Sequence, residues 1–301
     1  MKTSRRTFIK TGTLAVVGSA VLPQIISSCG RKKGMVALQL YSIRDEMTAD
    51  PLGSLKEIAA MGYVYVEHAN YIDRRFYGYA PSDFRKIIDD LGLKMISGHT
   101  VMGVQHWDEE RKDFSDSWKW TIEDAAVLGQ KYVVSPWMDE SMRATYDDFM
   151  RYMEVFNKCG VLCKNNGMKF GYHNHDFEFS QKLNDKKLFD IMMNAIDPDL
   201  VVMQLDIGNM YSGGAVALDV MNQYPGRFEN LHVKDVILSE SGDHYESCIV
   251  GEGVVEVKKA LELATETGGT ELYIIEQESY QGKTPMECMK INLGVMKEWG
   301  Y

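Results

Sequence analysis

Ala60-Met61-Gly62-Tyr63 is the first of four short stretches in which a helical pattern ends at a glycine and an apolar run begins. The others are Asp90-Leu91-Gly92-Leu93-Lys94, Val127-Leu128-Gly129-Gln130-Lys131 and Asn165-Asn166-Gly167-Met168-Lys169. Their glycines are spaced 30, 37 and 38 residues apart. A glycine just past a helix end can adopt the left-handed conformation that caps the helix. Helix, cap and strand at this interval predict repeated βα units and a parallel sheet.

The whole chain contains eight segments that fit buried strands, separated by amphipathic stretches such as 82–91 and 146–165. The predicted strands are Met35–Tyr41, Tyr63–Glu67, Lys94–His99, Lys131–Pro136, Met168–His175, Val201–Asp206, Glu229–Asp235 and Leu272–Glu278. Eight strands with crossover helices favour the α/β class and a closed (β/α)8 TIM barrel. An open doubly wound sheet is the alternative. Its nucleotide-binding form carries a glycine-rich turn after the first strand, and residues 39–45 contain no glycine.

The first 29 residues carry the marks of an export signal. Ser4-Arg5-Arg6-Thr7-Phe8-Ile9-Lys10 is a twin-arginine pattern, which directs folded proteins to the bacterial Tat pathway. The weakly apolar run from Leu14 to Ile26 that follows is too short to remain as a spanning helix. Ile26-Ser27-Ser28-Cys29 resembles a lipobox, in which Cys29 would become a lipidated first residue. We therefore expect residues 1–29 to be a Tat-type signal peptide, with or without a lipid anchor. Residues 30–301 would then be a periplasmic barrel domain.

The acidic composition limits the classes of partner. The chain has 33 Lys and Arg against 43 Asp and Glu, a net charge of −10. Loss of the four basic residues of the leader would make the net charge −14. A chain this acidic, without a basic stripe, disfavours nucleic acid as a partner. We expect a small-molecule ligand instead, and the oligomeric state stays open.

Polar residues collect at the C-terminal ends of the predicted strands, where a barrel of this kind has its active site. They are Gln39, Tyr41, Glu67, Ser97, His99, His173, His175, Asp206, His232, Lys234, Glu276 and Glu278. Each alone has an ordinary explanation as a hydrogen-bonded core group, a helix cap or half of an ion pair. Four successive strands ending in His, Asp or Glu are better explained by a shared cation, because such groups are costly to bury unpaired. Mixed imidazole and carboxylate donors suit Mn, Fe, Co, Ni or Zn better than Ca.

Six motifs, in this order and spacing, resemble those of the sugar phosphate isomerase/epimerase family, the xylose isomerase-like barrels. They are Leu38-Gln39-Leu40-Tyr41-Ser42-Ile43-Arg44-Asp45, Tyr172-His173-Asn174-His175-Asp176-Phe177-Glu178-Phe179, Leu205-Asp206-Ile207-Gly208-Asn209, Leu231-His232-Val233-Lys234-Asp235, Gly251-Glu252-Gly253 and Ile275-Glu276-Gln277. The resemblance covers essentially all of residues 30–301. The motifs are specific for the family and poorly specific for the substrate.

The resemblance implies one divalent metal, with Mn2+ as the first expectation and Mg2+, Co2+, Fe2+, Ni2+ or Zn2+ as alternatives. The family's ligands are a glutamate, an aspartate, a histidine and a second glutamate from the last four strands. By position, Asp206, His232 and Glu276 match this set. His173 stands where the family commonly has the first glutamate, and the sequence leaves open whether His173 or His175 faces the metal. In the family's epimerases the two glutamates exchange protons on opposite faces of the substrate carbon. His173 therefore disfavours a symmetrical two-glutamate epimerase.

The resemblance also implies proton abstraction next to a carbonyl. Glu276 or His173 would remove the proton, and His175, Glu178 or Glu278 would be the second acid–base group. Side chains around the mouth would bind sugar hydroxyls, and three aromatic residues would stack on a sugar ring. The expected hydroxyl-binding residues are Gln39, Tyr41, Glu67, His99, Asn209 and Lys234, and the expected stacking residues are Trp107, Trp137 and Tyr211.

The expected export signal narrows the function. Sugar phosphates are cytoplasmic metabolites, so an exported member would act on a free keto-sugar, as an isomerase, epimerase or lyase/hydratase. A non-catalytic, lipid-anchored sugar-binding protein of the same fold is the alternative, and the histidine at the glutamate position favours it. A metal nuclease is a third alternative, which the negative net charge disfavours.

Overall fold

Eight parallel strands close into a barrel in the computed structural model, which describes residues 34–301. The barrel strands are β1 (Met35–Gln39), β2 (Tyr65–His68), β3 (Lys94–His99), β4 (Tyr132–Ser135), β5 (Lys169–His173), β6 (Val201–Asp206), β7 (Asn230–Val233) and β8 (Leu272–Ile275). Each pairs in parallel with its neighbours in sequence, and β1 closes the barrel on β8 from Met35–Leu272 to Leu38–Ile275. The predicted (β/α)8 class is confirmed. The predicted signal peptide and Cys29 lie outside the described residues.

Helices follow every barrel strand and cover the outside of the barrel. They are α1 (Arg44–Ala49), α2 (Pro51–Met61), α3 (Pro81–Asp90), α4 (Asp116–Leu128), α5 (Tyr146–Asn165), α6 (Phe177–Ser180), α7 (Leu188–Ala195), α8 (Ile207–Ser212), α9 (Ala217–Gln223), α10 (Val257–Thr267) and α11 (Pro285–Glu298). The glycine caps behave as predicted: Gly62 ends α2 at φ 100° and Gly129 ends α4 at φ 77°. An L side chain is strained at such angles, so glycine is required where these helices turn into the next strand.

Four two-stranded antiparallel hairpins interrupt this repeat, and the strand pattern did not predict them. They pair Tyr71–Ile72 with Arg75–Phe76, Trp107–Asp108 with Asp113–Phe114, Lys182–Leu183 with Lys186–Lys187, and Asp235–Leu238 with Tyr245–Cys248. Short 3-10 helices span Leu40–Ile43, Val104–His106 and Glu140–Arg143. All four hairpins follow barrel strands, at the end of the barrel where loops form the active site in this architecture.

Side chains along each barrel strand point alternately outward, toward the helices, and inward, toward the barrel axis, and so form two packing layers. Phe170 and Tyr172 of β5 belong to the main hydrophobic cluster with the helices. Tyr132, Val134 and Val202 form a smaller cluster of their own, as expected when the other strand face points to the barrel axis. No helix within residues 34–301 is long and apolar enough to cross a membrane.

Candidate active site

A cavity of about 630 Å³ opens at the C-terminal ends of the barrel strands. Its lining includes His99, His173, Lys234, Glu276 and Glu278. The first four of these are buried, with at most 9% of their surface exposed. The cavity therefore ends on a set of ionisable groups that water reaches only from one side.

Four of these strand ends bring possible metal-binding atoms together. His173, Asp206, His232 and Glu276 each offer one nitrogen or oxygen atom, and the four atoms lie within 4.8 Å of one another. These are the four residues predicted as ligands. The structure also distinguishes His173, the last residue of β5, from His175, because His173 belongs to this group and His175 does not. We call these four residues the metal cluster.

Asp206 has two roles, one for each oxygen. Its Oδ1 accepts hydrogen bonds from the backbone N–H groups of Gly208 (2.9 Å) and Asn209 (2.7 Å), so the side chain caps α8. Its Oδ2 is buried and accepts no hydrogen bond. Oδ2 lies 3.2 Å from the Lys234 Nζ and 3.8 Å from the His173 Nε2. The ordinary explanation of Asp206 as a helix cap therefore accounts for its Oδ1 but not for its Oδ2.

Lys234 supplies a buried cation beside the metal cluster. Its Nζ lies 3.0 Å from the Glu276 Oε2 and donates to the Glu278 Oε1 at 2.6 Å. A Cβ on Gly208 would lie 2.7 Å from the Lys234 Cγ, so this glycine makes room for the lysine stem. Burial lowers the pKa of Lys234, but the attraction of Asp206, Glu276 and Glu278 outweighs it and holds this pKa well above its usual value. Lys234 does not pair with Asp235. The Asp235 carboxylate instead accepts hydrogen bonds from the backbone N–H groups of residues 236, 251, 253 and 255.

His232 lies between two carboxylates. Its Nδ1 is 2.9 Å from the Glu276 Oε2, and its Nε2 is 2.8 Å from the Glu67 Oε1. Burial lowers the pKa of His232, but Glu276 and Glu67 together raise it to about 10. Burial also raises the pKa of Glu276, and Lys234 and His232 outweigh that effect and hold it well below its usual value. The structure therefore favours an imidazolium between two ionised glutamates.

Gln204 orients two further histidines, and the sequence analysis missed it. Its Oε1 lies 2.6 Å from the His99 Nε2 and 3.1 Å from the His173 Nδ1, while its Nε2 donates to the Glu67 Oε2 at 2.7 Å. An amide oxygen only accepts, so the His99 Nε2 and the His173 Nδ1 each carry a proton. The His173 Nε2 is then the unprotonated nitrogen, and it faces the other three residues of the metal cluster. Gln204 precedes Asp206 by two residues on β6, so strand parity was the signal that could have found it.

Two predicted substrate-binding residues lie beneath the cavity instead of in its lining. Gln39 and Glu67 are both fully buried. The Gln39 Nε2 donates to the Glu67 Oε1 at 2.8 Å, and the Ser97 hydroxyl donates to the Glu67 Oε2. Burial raises the pKa of Glu67, but His99 and His232 outweigh it and lower this pKa to about 2. Glu67 contacts His232 and Gln39 contacts Glu67, and neither residue is part of the cavity lining.

The other predicted hydroxyl-binding residues do line the cavity, whereas the predicted stacking residues do not. Tyr41, His99, Asn209 and Lys234 are part of the lining. Trp107 packs on Phe114, Trp137 on His175 and Phe177, and Tyr211 on Tyr245. Trp120 and Tyr71 are the aromatic residues that replace them in the lining. Trp120 lies on a helix and Tyr71 in an unpredicted hairpin, so the strand-end pattern could not identify either residue.

His175 and Glu178, two candidates for the second acid–base group, lie outside the cavity lining. The His175 ring packs edge-on against Trp137 at 5.0 Å between ring centroids, and burial lowers the pKa of His175 to about 4. Glu178 is fully buried and accepts hydrogen bonds from the Tyr172 hydroxyl and, at 2.8 Å, from the His175 backbone N–H. Glu278 is the remaining candidate, and it does line the cavity.

The stability of the protein should depend on pH through Glu178. Burial raises the pKa of this carboxyl from 4.5 to about 7, although its hydrogen bonds lower it. Since the folded pKa exceeds the unfolded one, the contribution of Glu178 to stability is complete below pH 4.5 and is lost as the pH rises through about 7. Glu178→Gln keeps the group neutral. We expect the free energy of unfolding of this variant, relative to wild type, to rise by about 3 kcal/mol between pH 4.5 and pH 8.

Urea unfolding at several pH values measures this difference. Asp185→Asn is the matched control, because Asp185 is an exposed carboxylate in the turn between Lys182–Leu183 and Lys186–Lys187 and is not among the charges that shift the pKa of Glu178. Its difference from wild type should stay nearly constant with pH. The explanation fails if the difference between Glu178→Gln and wild type does not change over the same range.

Comparisons with known proteins agree with this architecture. The family model of the xylose isomerase-like TIM barrel matches residues 55–299. An inosose dehydratase of Geobacillus kaustophilus (strain HTA426) is 26% identical over 209 residues, which are 64% of this chain and 63% of that protein. The match thus spans less than two thirds of the length of this relative.

Two solved structures are similar over nearly their whole length. A sugar phosphate isomerase/epimerase from Parabacteroides distasonis ATCC 8503 is 26% identical, with a TM-score of 0.77 over 90% of this chain and 96% of that chain. The IOLI protein with a bound zinc atom is 14% identical, with a TM-score of 0.69 over 88% of this chain and 97% of that chain. At that identity the second likeness shows the fold alone. The match to the family model, which covers most of the barrel, places this chain in the xylose isomerase-like TIM barrel family.

Proposed function

We propose that this chain is a divalent-metal-dependent enzyme that removes a proton next to the carbonyl of a free keto-sugar. The reaction would end as an isomerisation, an epimerisation, or the elimination or addition of water. The observation that carries the proposal is the metal cluster beside the cavity, in which the Asp206 Oδ2 is buried without a hydrogen bond. The Lys234 ammonium, 3.2 Å from this oxygen, is one positive charge shared among three carboxylates, so a divalent cation would complete the environment of a buried acceptor that is otherwise costly.

The residues present fit a divalent cation. Two imidazoles and two carboxylates converge, a donor set that suits Mn2+ and the later transition metals. Gln204 and Glu67 occupy the far nitrogens of His173 and His232, as partners that orient metal-binding histidines do. The His232 Nδ1 would exchange its proton for the metal. Once bound, the cation would act as a Lewis acid that polarises the sugar carbonyl.

Glu276 is the best-placed base. Lys234 and His232 keep its carboxylate ionised, and it lines the cavity. It would take the proton from the carbon next to the carbonyl as the electron pair of that C–H bond moves toward the carbonyl oxygen. His173 is the less favourable acceptor, because its Nδ1 carries a proton toward Gln204 and its Nε2 would be occupied by the metal, and because burial and the neighbouring histidines hold its pKa well below its usual value.

Lys234 and Glu278 form the second acid–base pair. The Lys234 Nζ lies 2.6 Å from the Glu278 Oε1, and both residues line the cavity. A proton from this pair could go to the former carbonyl carbon, and an isomerisation is complete when the hydroxyl proton of the deprotonated carbon also moves to the former carbonyl oxygen. Alternatively, the proton could leave with a hydroxyl group as water. The inosose dehydratase relative favours the second outcome. His173 in place of a second glutamate favours it too, because an elimination needs one carbon base and one acid, not two equivalent glutamates.

We further propose that residues 1–29 export the protein to the periplasm by the Tat pathway, with Cys29 as a lipid-anchor site. A sugar encountered there would carry no phosphate, which is why the proposal names a free keto-sugar. The pairing of Lys234 with three carboxylates agrees with this, since it leaves little positive charge at the metal cluster for a phosphate.

Hydrogen exchange from solvent tests the proposal directly. Mn2+-loaded protein is incubated in D2O with a panel of keto-sugars that includes inosose, and deuterium is located by NMR. We expect deuterium on the carbon next to the carbonyl, or in an elimination product, for at least one sugar. EDTA should abolish the exchange and Mn2+ should restore it. Full exchange after exhaustive chelation would refute the metal-dependent mechanism.

A non-catalytic sugar-binding protein is the second candidate. The observation that favours it is Lys234, whose ammonium already compensates Asp206 and Glu276 within the barrel. The same experiment separates the two functions, because a pure binding protein would shift the NMR signals of a bound sugar without placing deuterium in it.

A further inference from the structure

The outer wall of the cavity is built by two segments that the proposed chemistry does not use. One is the loop and hairpin after β2, which contributes Tyr71, Ile72 and Arg74, and the other is α4, which contributes Trp120. We call these four residues the Trp120 shelf. The shelf lines the same cavity as His173 and Glu276, so a ligand that fills the cavity contacts both.

The Trp120 shelf is held in place by its own polar contacts. Arg74 donates to both carboxylate oxygens of Asp124, from Nε at 2.9 Å and from Nη2 at 2.6 Å. The Tyr71 hydroxyl donates to the same Asp124 at 2.6 Å. The guanidinium carbon lies 5.3 Å from the centre of the Trp120 ring. Bidentate pairing to a carboxylate that is itself 6% exposed fixes the guanidinium plane and the tryptophan beside it.

This arrangement suits a neutral ring better than an anion. Asp124 neutralises Arg74, and a second carboxylate oxygen, the Glu123 Oε2, lies 4.0 Å from the Arg74 Nη2. The apolar part of the shelf nevertheless stays open, since Trp120 is 43% exposed and Ile72 is 62% exposed. Exposed apolar groups grouped beside a cavity mark ligand-binding surfaces. A sugar or aromatic ring offers the apolar face that such a surface can cover.

The size of the cavity points the same way. At about 630 Å³ it falls within the range of about 300–1,000 Å³ that holds drug-sized ligands, and one sugar ring is smaller than such a ligand. A ring that reacts at Glu276 would fill the polar end and leave the Trp120 shelf uncovered. A second ring, joined to the first, would cover it.

We propose that the Trp120 shelf is a second subsite, which binds a ring joined by a glycosidic bond to the reacting sugar. The substrate is then a glycoside whose reacting ring is the unphosphorylated keto-sugar of the proposed function, and the shelf determines specificity for the ring that does not react. This inference rests on the proposed function for the assignment of the reacting ring to the metal cluster. The second ring is either another sugar or an aromatic aglycone, which share the flat apolar face that Trp120 would contact.

Calorimetric titration with matched ligands tests the subsite. The probes are methyl glycosides, the corresponding disaccharides and the corresponding phenyl glycosides, in the gluco, galacto and xylo series. In at least one series the ring-bearing ligand should bind wild type about tenfold more tightly than the methyl glycoside, as stacking on one aromatic ring provides. Trp120→Ala should remove this preference, and Trp120→Phe should keep part of it.

Val127→Ala is the matched control, because Val127 lies on the same helix, is 47% exposed and does not line the cavity. This variant should keep the full preference. Equal affinities within every series for wild type, unmeasurable binding included, would overturn the inference, as would a Trp120→Ala variant that keeps the preference. The titration needs no turnover. A ring preference without deuterium exchange would therefore sustain the subsite and contradict the proposed catalysis, and exchange without a ring preference would do the opposite.

Discussion

Lys234→Met is expected to destabilise the metal-free protein by about 3–5 kcal/mol, the range for breaking a buried ion pair from one side. Lys234 is 3% exposed, and its ammonium lies 3.2 Å from Asp206, 3.0 Å from Glu276 and 2.6 Å from Glu278. Methionine would fill a similar volume but would leave Asp206 and Glu278 without their nearest cation, and Glu276 with His232 alone. Saturating Mn2+ should restore much of the loss, because the metal would supply the missing positive charge.

Urea unfolding of the variant and of wild type, in EDTA and in Mn2+, measures both effects. Lys259→Met is the control, since Lys259 is an exposed residue of α10 paired only with Glu256. An exposed pair of this kind contributes little to stability, and Mn2+ should not change that contribution. The role assigned to Lys234 would be refuted if the variant were as stable as wild type in EDTA, or if Mn2+ stabilised both proteins equally.

Asp206→Asn is expected to weaken Mn2+ binding by more than about 100-fold, the upper end for partners that only orient a ligand, and to abolish deuterium exchange into a keto-sugar. Asparagine retains an Oδ1 that can accept from Gly208 and Asn209, so the cap of α8 should survive. The substitution removes the charge of Oδ2, the buried oxygen without a hydrogen bond. The variant thus separates the capping role of Asp206 from its metal-binding role.

Calorimetric titration with Mn2+ and the exchange experiment in D2O provide the two measurements, and circular dichroism checks the fold. Asp219→Asn, an exposed carboxylate in the first turn of α9, should bind Mn2+ as wild type does. Unchanged Mn2+ affinity in a folded Asp206→Asn protein would exclude the metal cluster as the binding site.

The fold class follows from local features that the sequence displays. Each glycine cap is a short-range requirement of a helix end, and each strand is a short apolar run, so both can be recognised without knowledge of distant contacts. The hairpin after β2 escaped recognition because its strands, Tyr71–Ile72 and Arg75–Phe76, are two residues long. Segments that short carry no detectable period.

The composition of the metal cluster also follows from the sequence, while the choice between His173 and His175 does not. Parity puts both on one face of an ideal strand. In the folded chain β5 ends at His173, and the chain then turns toward α6. His175 consequently leaves the strand face and packs against Trp137. Where a strand ends depends on its neighbours in the barrel, and a single sequence does not contain that information.

The sequence alone predicted eight βα units, four of them marked by glycine caps, and placed His173, Asp206, His232 and Glu276 at successive strand ends, because both depend on period and position along the chain. Only the tertiary structure decided that Glu67 and Gln204 lie below the site as orienting partners, that Lys234 is its buried cation, and that Trp120 forms part of the outer wall. These assignments depend on which side chains meet inside the barrel and on which helix lies beside the cavity. Both properties arise when distant segments pack together.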